Sequence, residues 1–273
     1  MKWRILYSGK MGSAENMAVD EAVMEGVISG TSLPTIRFYD WSPPTVSCGY
    51  NQIISKEVDL DLVTAQGYGF VRRPTGGRLV LHEDEVTYSI IARCKGKLGG
   101  NVSESYYEIS KALATGFRII GVNVELEKGS LSSSHQRQDV NPCFASSSRF
   151  ELNYNRRKIV GSAQVRKEGV LLQHGSILLD HDQSKLAFLM PNIDTDKRNK
   201  LAKYLAKKTV ALNQILDTPI TFSDAVLGFT IGFEKHWNND NFIISEKLSS
   251  KEENVVENLV KTKYLTAEWN KRK

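Results

Sequence analysis

The sequence predicts an α+β fold, a mixed β-sheet flanked by helices. Three observations predict it. Strand-like and helix-like segments intermix along the 273 residues without the regular βαβ alternation of a parallel sheet. Hydrophobic residues make up 41% and charged residues 25%, the balance of a globular chain with a sizeable core. No internal repeat and no Pro- or Gly-rich linker divides the chain.

In chain order, Met1 to Tyr7 reads as a first β-strand, and residues 16–29 as an amphipathic helix with Met17, Val19, Ala22, Val23, Val27 and Ile28 on or near one face. Thr35 to Tyr39 reads as a strand ended by Ser42-Pro43-Pro44, with a short strand at Thr45 to Cys48. A helix is expected over Asp59 to Ala65, then a strand over Gly69 to Arg73 that runs into the loop Pro74-Thr75-Gly76-Gly77. Val86 to Ala92 is strongly β in character. Ser103 to Ile119 reads as a long helix with Ser103 as its N-cap, and Val122 to Leu126 as a returning strand. Residues 128–142, rich in Ser, Gln, Asp and Asn, read as a mobile surface loop. Strands are expected over 149–154, 158–164 and 170–179, the first two joined as a hairpin at Tyr154-Asn155-Arg156. Helices dominate the last third. Ser223 is expected to cap one, and Ser250-Lys251-Glu252-Glu253 has capping-box spacing.

Composition excludes several functions. No apolar run approaches the ~18 residues of a membrane span. The N-terminal apolar stretch meets Ser8-Gly9-Lys10 too soon for a signal-peptide core, so a cytoplasmic protein is expected. Cys48, Cys94 and Cys143 lie far apart with no CxxC pair, against a cysteine zinc site or a disulfide framework. The net charge of +5 is spread along the chain rather than concentrated as in nucleic-acid binders. It suits docking of acidic carrier proteins.

Four segments can carry chemistry. Arg72-Arg73-Pro74-Thr75-Gly76-Gly77-Arg78, with His82 beyond it, lets backbone approach a ligand closely, while the arginines hold an anion or brace the loop. A hairpin turn with solvated arginines fits this segment equally well. Lys158 opens an apolar strand with Gly161-Ser162-Ala163-Gln164 behind it; pointing into a pocket it would hold a carbonyl or phosphate oxygen, and otherwise it is a solvated strand end. In Gln173-His174-Gly175-Ser176, His174 fits a hydrogen-bonded structural histidine at least as well as a catalyst. Pro142-Cys143-Phe144 ends the polar loop, where a nearby lysine would favour the thiolate; a small buried hydrophobe is the plain alternative.

Taken together and in this order, these segments resemble the lipoate–protein ligase and octanoyltransferase superfamily, with a biotin/lipoate protein ligase-like catalytic domain. Asn16-Met17-Ala18-Val19-Asp20-Glu21-Ala22 resembles its N-terminal helix. The resemblance implies a catalytic domain over 1–240 and a helical tail over 241–273 belonging to the same unit. Ligases in the family activate lipoate with ATP; octanoyltransferases draw octanoate from acyl carrier protein through a cysteine thioester; both use the lysine at the position of Lys158. Cys143 precedes that lysine and no cysteine follows it, as in the octanoyltransferase branch found in Gram-positive bacteria among others. The resemblance thus implies Cys143 as nucleophile and Lys158 on the acyl carbonyl. It further implies an acyl site built from Arg73, Thr75, Gly76, Gly77, His82, Gly161, Ser162, Ala163, His174 and Gly175. No cofactor, ATP or metal is expected, nor any nucleic-acid or membrane partner. The expected donor is octanoyl-acyl carrier protein and the expected acceptor the glycine cleavage H protein or another lipoyl domain, with the enzyme a monomer. An ATP-dependent lipoate ligase, a lipoyl amidotransferase and a noncatalytic carrier-binding module are the alternatives.

Overall fold

The computed structural model describes residues 1–128 and 150–272; Cys143 and nearly all of the expected polar loop lie outside them. Twelve strands and eight α-helices occur among the described residues, with shorter 3-10 turns between them. They are β1 (Lys2–Met11), α1 (Ser13–Ser29), β2 (Thr35–Trp41), β3 (Thr45–Cys48), α2 (Ile54–Glu57), α3 (Leu60–Ala65), β4 (Gly69–Arg72), β5 (Val80–His82), β6 (Glu85–Arg93) and α4 (Val102–Ile120). There follow β7 (Glu125–Lys128), β8 (Phe150–Tyr154), β9 (Arg157–Lys158), β10 (Val160–Lys167), β11 (Val170–Leu178), α5 (Thr195–Lys208), α6 (Phe222–His236), β12 (Asn241–Ser245), α7 (Ser250–Leu259) and α8 (Ala267–Asn270). A wider helical turn, Val260–Tyr264, extends α7.

The main sheet has the order β10-β11-β6-β2-β1-β12. β2, β1 and β12 run parallel and the other pairs antiparallel, so the sheet is mixed as expected. α1 connects the parallel β1 and β2, which no tight hairpin could join. Two three-stranded sheets, β4-β3-β5 and β7-β8-β9, complete the β structure. The β8–β9 turn falls where the sequence placed a hairpin and pairs Asn153 with Lys158.

One face of the main sheet packs on α4 and α6 through Ile36, Phe38, Tyr88, Ile90, Phe117, Phe229 and Phe233. Each such large side chain contributes about 1.5–3 kcal/mol by burial. Leu6, Ile91, Val170 and Leu172 on the opposite face pack with Val19, Val23, Met24 and Val27 of α1. α7 lies against α1, with Leu259 and Tyr264 beside Ala18 and Ala22. No helix among the described residues is long and apolar enough to cross a membrane.

Helix starts differ from the sequence reading. Asn101, not Ser103, caps α4, because Glu104 returns the bond to the Asn101 N–H and closes a capping box. Thr221 with Asp224 caps α6 in place of Ser223, and Ser249 with Glu252 caps α7 in place of Ser250. Glu252 also receives Arg4 and Ser32, which fixes that register. The segment expected as a helical tail opens with a strand, because Asn241–Ser245 finds an unpaired edge at β1.

Candidate active site

The register of the main sheet assembles polar side chains on the face that α1 covers. Arg37 of β2 lies opposite Ser89 of β6, which lies opposite His174 of β11, which lies opposite Ala163 of β10. Two residues along, the row is Tyr39, Thr87, Ser176 and Gly161. Period-2 alternation puts both rows on one face. Asp20, projecting from α1, meets the first row.

Asp20 and Arg37 are both fully buried and joined at 2.9 Å. Asp20 also accepts from Ser89 Oγ at 2.8 Å and Tyr39 OH at 3.1 Å, and lies 3.1 Å from His174 Nδ1. Burial alone would lift the Asp20 carboxyl, but the His174 hydrogen bond and the Arg37 charge outweigh it and hold the group below its ordinary value. Burial pushes His174 below 6.5 despite the opposing hydrogen bond and charge of Asp20. His174 is therefore neutral at pH 7, donates from Nδ1 to Asp20, and accepts through Nε2 from Thr75 Oγ1 at 2.6 Å. This ties the Pro74–Gly77 loop to α1 and β11.

A second carboxylate–histidine pair stands nearby. Glu85 binds His82 Nδ1 at 2.7 Å and accepts from Thr87 and Ser176. His82 Nε2 meets Ser47 Oγ at 2.8 Å, and the His82 ring stacks on Trp41 with centroids 4.3 Å apart.

Arg73 acts as a brace in this geometry. Its guanidinium donates to Ser47 O and Oγ, to Gly76 O and to Arg78 O. Gly77 adopts φ +97°, and its carbonyl would lie 2.0 Å from a Cβ placed on Gly49. The two backbones meet where no side chain fits. A Cβ on Gly175 would strike Ser162 Oγ at 2.5 Å and the Tyr88 ring at 2.6 Å.

These elements border a small cavity of about 30 Å³ that opens to the surface, with Met17, Tyr39, Trp41 and Val80 on its apolar wall. Of the residues singled out from sequence, Arg73, His82, Gly161, Ser162, Ala163, His174 and Gly175 line it. Thr75 joins them through His174. Gly76 instead faces a neighbouring open groove, shared with Tyr50, Pro74 and Trp269. Lys158 is buried, at 6% exposure, on β9, where its carbonyl accepts from Val210 N; it is not among the described residues lining the cavity. Cys48 is unsuited to attack, since burial raises its thiol to about 11.

Sequence reasoning did not single out Asp20, Arg37, Trp41, Ser47 or Glu85 as site residues. A signal existed for the first two: a carboxylate among Met17, Ala18, Val19, Ala22 and Val23, and an arginine inside a strand whose seven residues are all buried. Buried charges of opposite sign imply each other.

Residues 13–233 match the lipoyl protein ligase A/B catalytic domain. The chain is 42% identical over 278 aligned positions to octanoyltransferase LipM of Geobacillus kaustophilus, covering 98% of this chain and 97% of that one. It is 40% identical over 274 positions to octanoyltransferase LipM of Bacillus subtilis, again covering 98% and 97%. Among solved structures, it aligns with the bipartite lipoate protein ligase of Thermoplasma acidophilum at TM-score 0.80 and 24% identity, covering 99% of this chain and 96% of that one. It aligns with lipoate-protein ligase A bound with ATP at TM-score 0.79 and 23% identity, covering 99% of each. At such identities these two likenesses speak for the fold.

Proposed function

The chain belongs to the lipoyl protein ligase A/B catalytic-domain family, and from that premise we propose that it is an octanoyltransferase of lipoate biosynthesis, working in the cytoplasm. The observation that carries this reading is the cavity: an apolar wall of Met17, Tyr39, Trp41 and Val80, closed at its polar side by Arg73, His174 and the Gly161–Ala163 strand. The apolar wall suits an acyl tail, whose entry would part the side chains around this small space, with the carbonyl end reaching Lys158 outside the lining. The near-full-length relatives named octanoyltransferase support the choice of acyl group.

The reaction is ping-pong acyl transfer. The Cys143 thiolate attacks the thioester carbonyl of octanoyl-acyl carrier protein. The carbonyl oxygen gains negative charge, which the Lys158 ammonium stabilises by hydrogen bond. The carbonyl–sulfur bond to the carrier then breaks, and the carrier thiolate leaves and takes up a proton. In the second half, the neutral amine of an acceptor lysine attacks the Cys143 thioester. The amide forms, the amine loses its proton, and Cys143 leaves as thiolate. The acceptor is a lipoyl domain, with the glycine cleavage H protein as first choice. The thioester is already activated, so no ATP is consumed. His174 and Asp20 position the loop in this scheme and exchange no proton with substrate.

Catalytic residues and tail are proposed as one unit. Residues 1–240 supply the site, and 241–273 complete the sheet and close over α1. The test is intact-mass analysis after mixing the protein with octanoyl-acyl carrier protein. A single octanoyl adduct that disappears on adding H protein supports the scheme. Acyl transfer that requires ATP and free octanoate, and outruns transfer from the carrier, overturns it.

A further inference from the structure

The end of the chain is fastened to the back of the acyl-site loop, chiefly through Arg72. Arg72, fully buried at the end of β4, immediately precedes Arg73 and the Pro74–Gly77 turn. Its backbone N–H donates to Asn270 Oδ1 at 2.8 Å, and its carbonyl accepts from Trp269 Nε1 at 2.8 Å. Its Nε donates to the carbonyls of Trp269 and Asn270, while Nη1 donates to those of Gly49, Tyr50 and Gln52. Arg72 thus joins the tail to the segment that Gly77 abuts. Tyr50 carries the link further: its N–H donates to Thr75 O at 2.9 Å, and its ring lies under the Arg272 guanidinium at 4.0 Å. Thr75 is the residue that meets His174.

The tail is itself anchored. Asn270 Nδ2 donates to Tyr264 O at 2.7 Å, and both Tyr264 and Lys263 bind Glu21, the neighbour of Asp20 on α1. The family match ends at residue 233. The clamp therefore lies beyond the matched catalytic domain yet reaches both α1 and the loop of the site.

We propose that Trp269 and Asn270 are positioning residues for acyl transfer, holding the Arg72–Gly77 turn in its ligand-ready shape through Arg72. This rests on the reading of the cavity as the octanoyl site. A turn held in advance does not have to be ordered by each incoming substrate. Loosening it raises the donor concentration needed for half-maximal rate, while the bound complex reacts at nearly the same speed.

The experiment uses the full chain with Asn270→Ala and, as the milder change, Trp269→Phe, which removes the indole N–H but keeps an aromatic ring. Steady-state transfer from octanoyl-acyl carrier protein and amide hydrogen exchange across residues 73–78 are measured together. In Asn270→Ala, KM for the carrier is expected to rise about tenfold with kcat within about twofold, the scale of one or two lost hydrogen bonds. Exchange at the loop amides accelerates by a similar factor while exchange in β6 and α4 stays unchanged. Trp269→Phe shows the same pattern at smaller size. A fall in kcat at constant KM, or loop exchange equal to wild type in both variants, overturns the proposal. If the octanoyl reading is itself wrong, wild-type protein transfers nothing, and loop exchange alone then decides whether the tail holds the turn.

Discussion

Two buried carboxylate–histidine pairs border the same cavity, and they are built differently. Asp20–His174 includes a guanidinium: Arg37 meets Asp20 at 2.9 Å with neither side chain exposed. Glu85–His82 is surrounded by hydroxyls, those of Thr87, Ser176 and Ser47, and among the described residues its ion-pair partner is His82. In the first pair a full negative charge is compensated by a full positive one that has no access to water. In the second, the carboxylate is held by hydroxyl hydrogen bonds and the His82 ring, with no guanidinium at it. The difference teaches that Asp20 organises the site as a structural hub, tying α1 to β2, β6, β11 and the loop. Glu85 orients His82 and, through Thr87, Trp41, and joins β6 to Ser176 of β11.

Neutralising each carboxylate without changing its shape separates the two pairs. Asp20→Asn leaves Arg37 buried without its counter-charge and is expected to cost about 3–5 kcal/mol. Glu85→Gln keeps hydrogen-bonding capacity beside hydroxyls and should cost about 1–3 kcal/mol. Urea unfolding of both variants measures the contrast. Equal losses would mean that Arg37 is not the reason Asp20 matters.

Gly77 has φ +97°, so Gly77→Val is expected to lose about 1–3 kcal/mol and most acyl transfer. A Cβ on Gly76 meets nothing within 4 Å, so Gly76→Ala should stay within about 0.5 kcal/mol of wild type. A thermal melt of each separates them, and comparable destabilisation would place the strain elsewhere in the loop.

Acidification gives the smallest effect. The folded value of His174 lies below its ordinary 6.5, so between the two values the unfolded chain binds a proton that the folded chain refuses. Its contribution is complete above 6.5 and falls as pH drops toward the folded value. Asp20, held below 3.8, loses its contribution only in stronger acid, as pH falls through its own folded value. His236 is lowered in the same sense, so the reference is His174→Gln. Its stability should decline less than that of wild type between about pH 7 and 5. Parallel declines would show that His174 does not titrate as described.

Much of this was legible in the sequence, for reasons that can be named. The loop Arg73–Gly77, the Gly161–Ala163 strand and His174–Gly175 are contiguous motifs, and contiguous motifs survive in a linear reading. Lys158 was expected near the start of the strand before it, but the tight hairpin pairs it with Asn153, one residue from that strand's end. Asp20 and Arg37 were missed as a pair because their meeting depends on α1 crossing over β2, a long-range fact. The helix caps were misread by one or two residues where several oxygen-bearing side chains compete. In each case the acidic residue three positions on, Glu104, Asp224 or Glu252, decided which one capped. β12 was missed because five residues at a sheet edge carry little period-2 signal until β1 offers a partner.

The central claim is that Cys143 carries the acyl group and Lys158 stabilises the charge that develops on its carbonyl. The most direct measurement is the rate of octanoyl transfer from acyl carrier protein to H protein, with intact-mass detection of the adduct, in wild type, Cys143→Ala and Lys158→Ala. The account predicts that Cys143→Ala loses adduct and transfer together. Lys158→Ala should fold normally and transfer about 10²–10³-fold more slowly. Full transfer by Cys143→Ala, or transfer by any of the three that needs ATP, would contradict it.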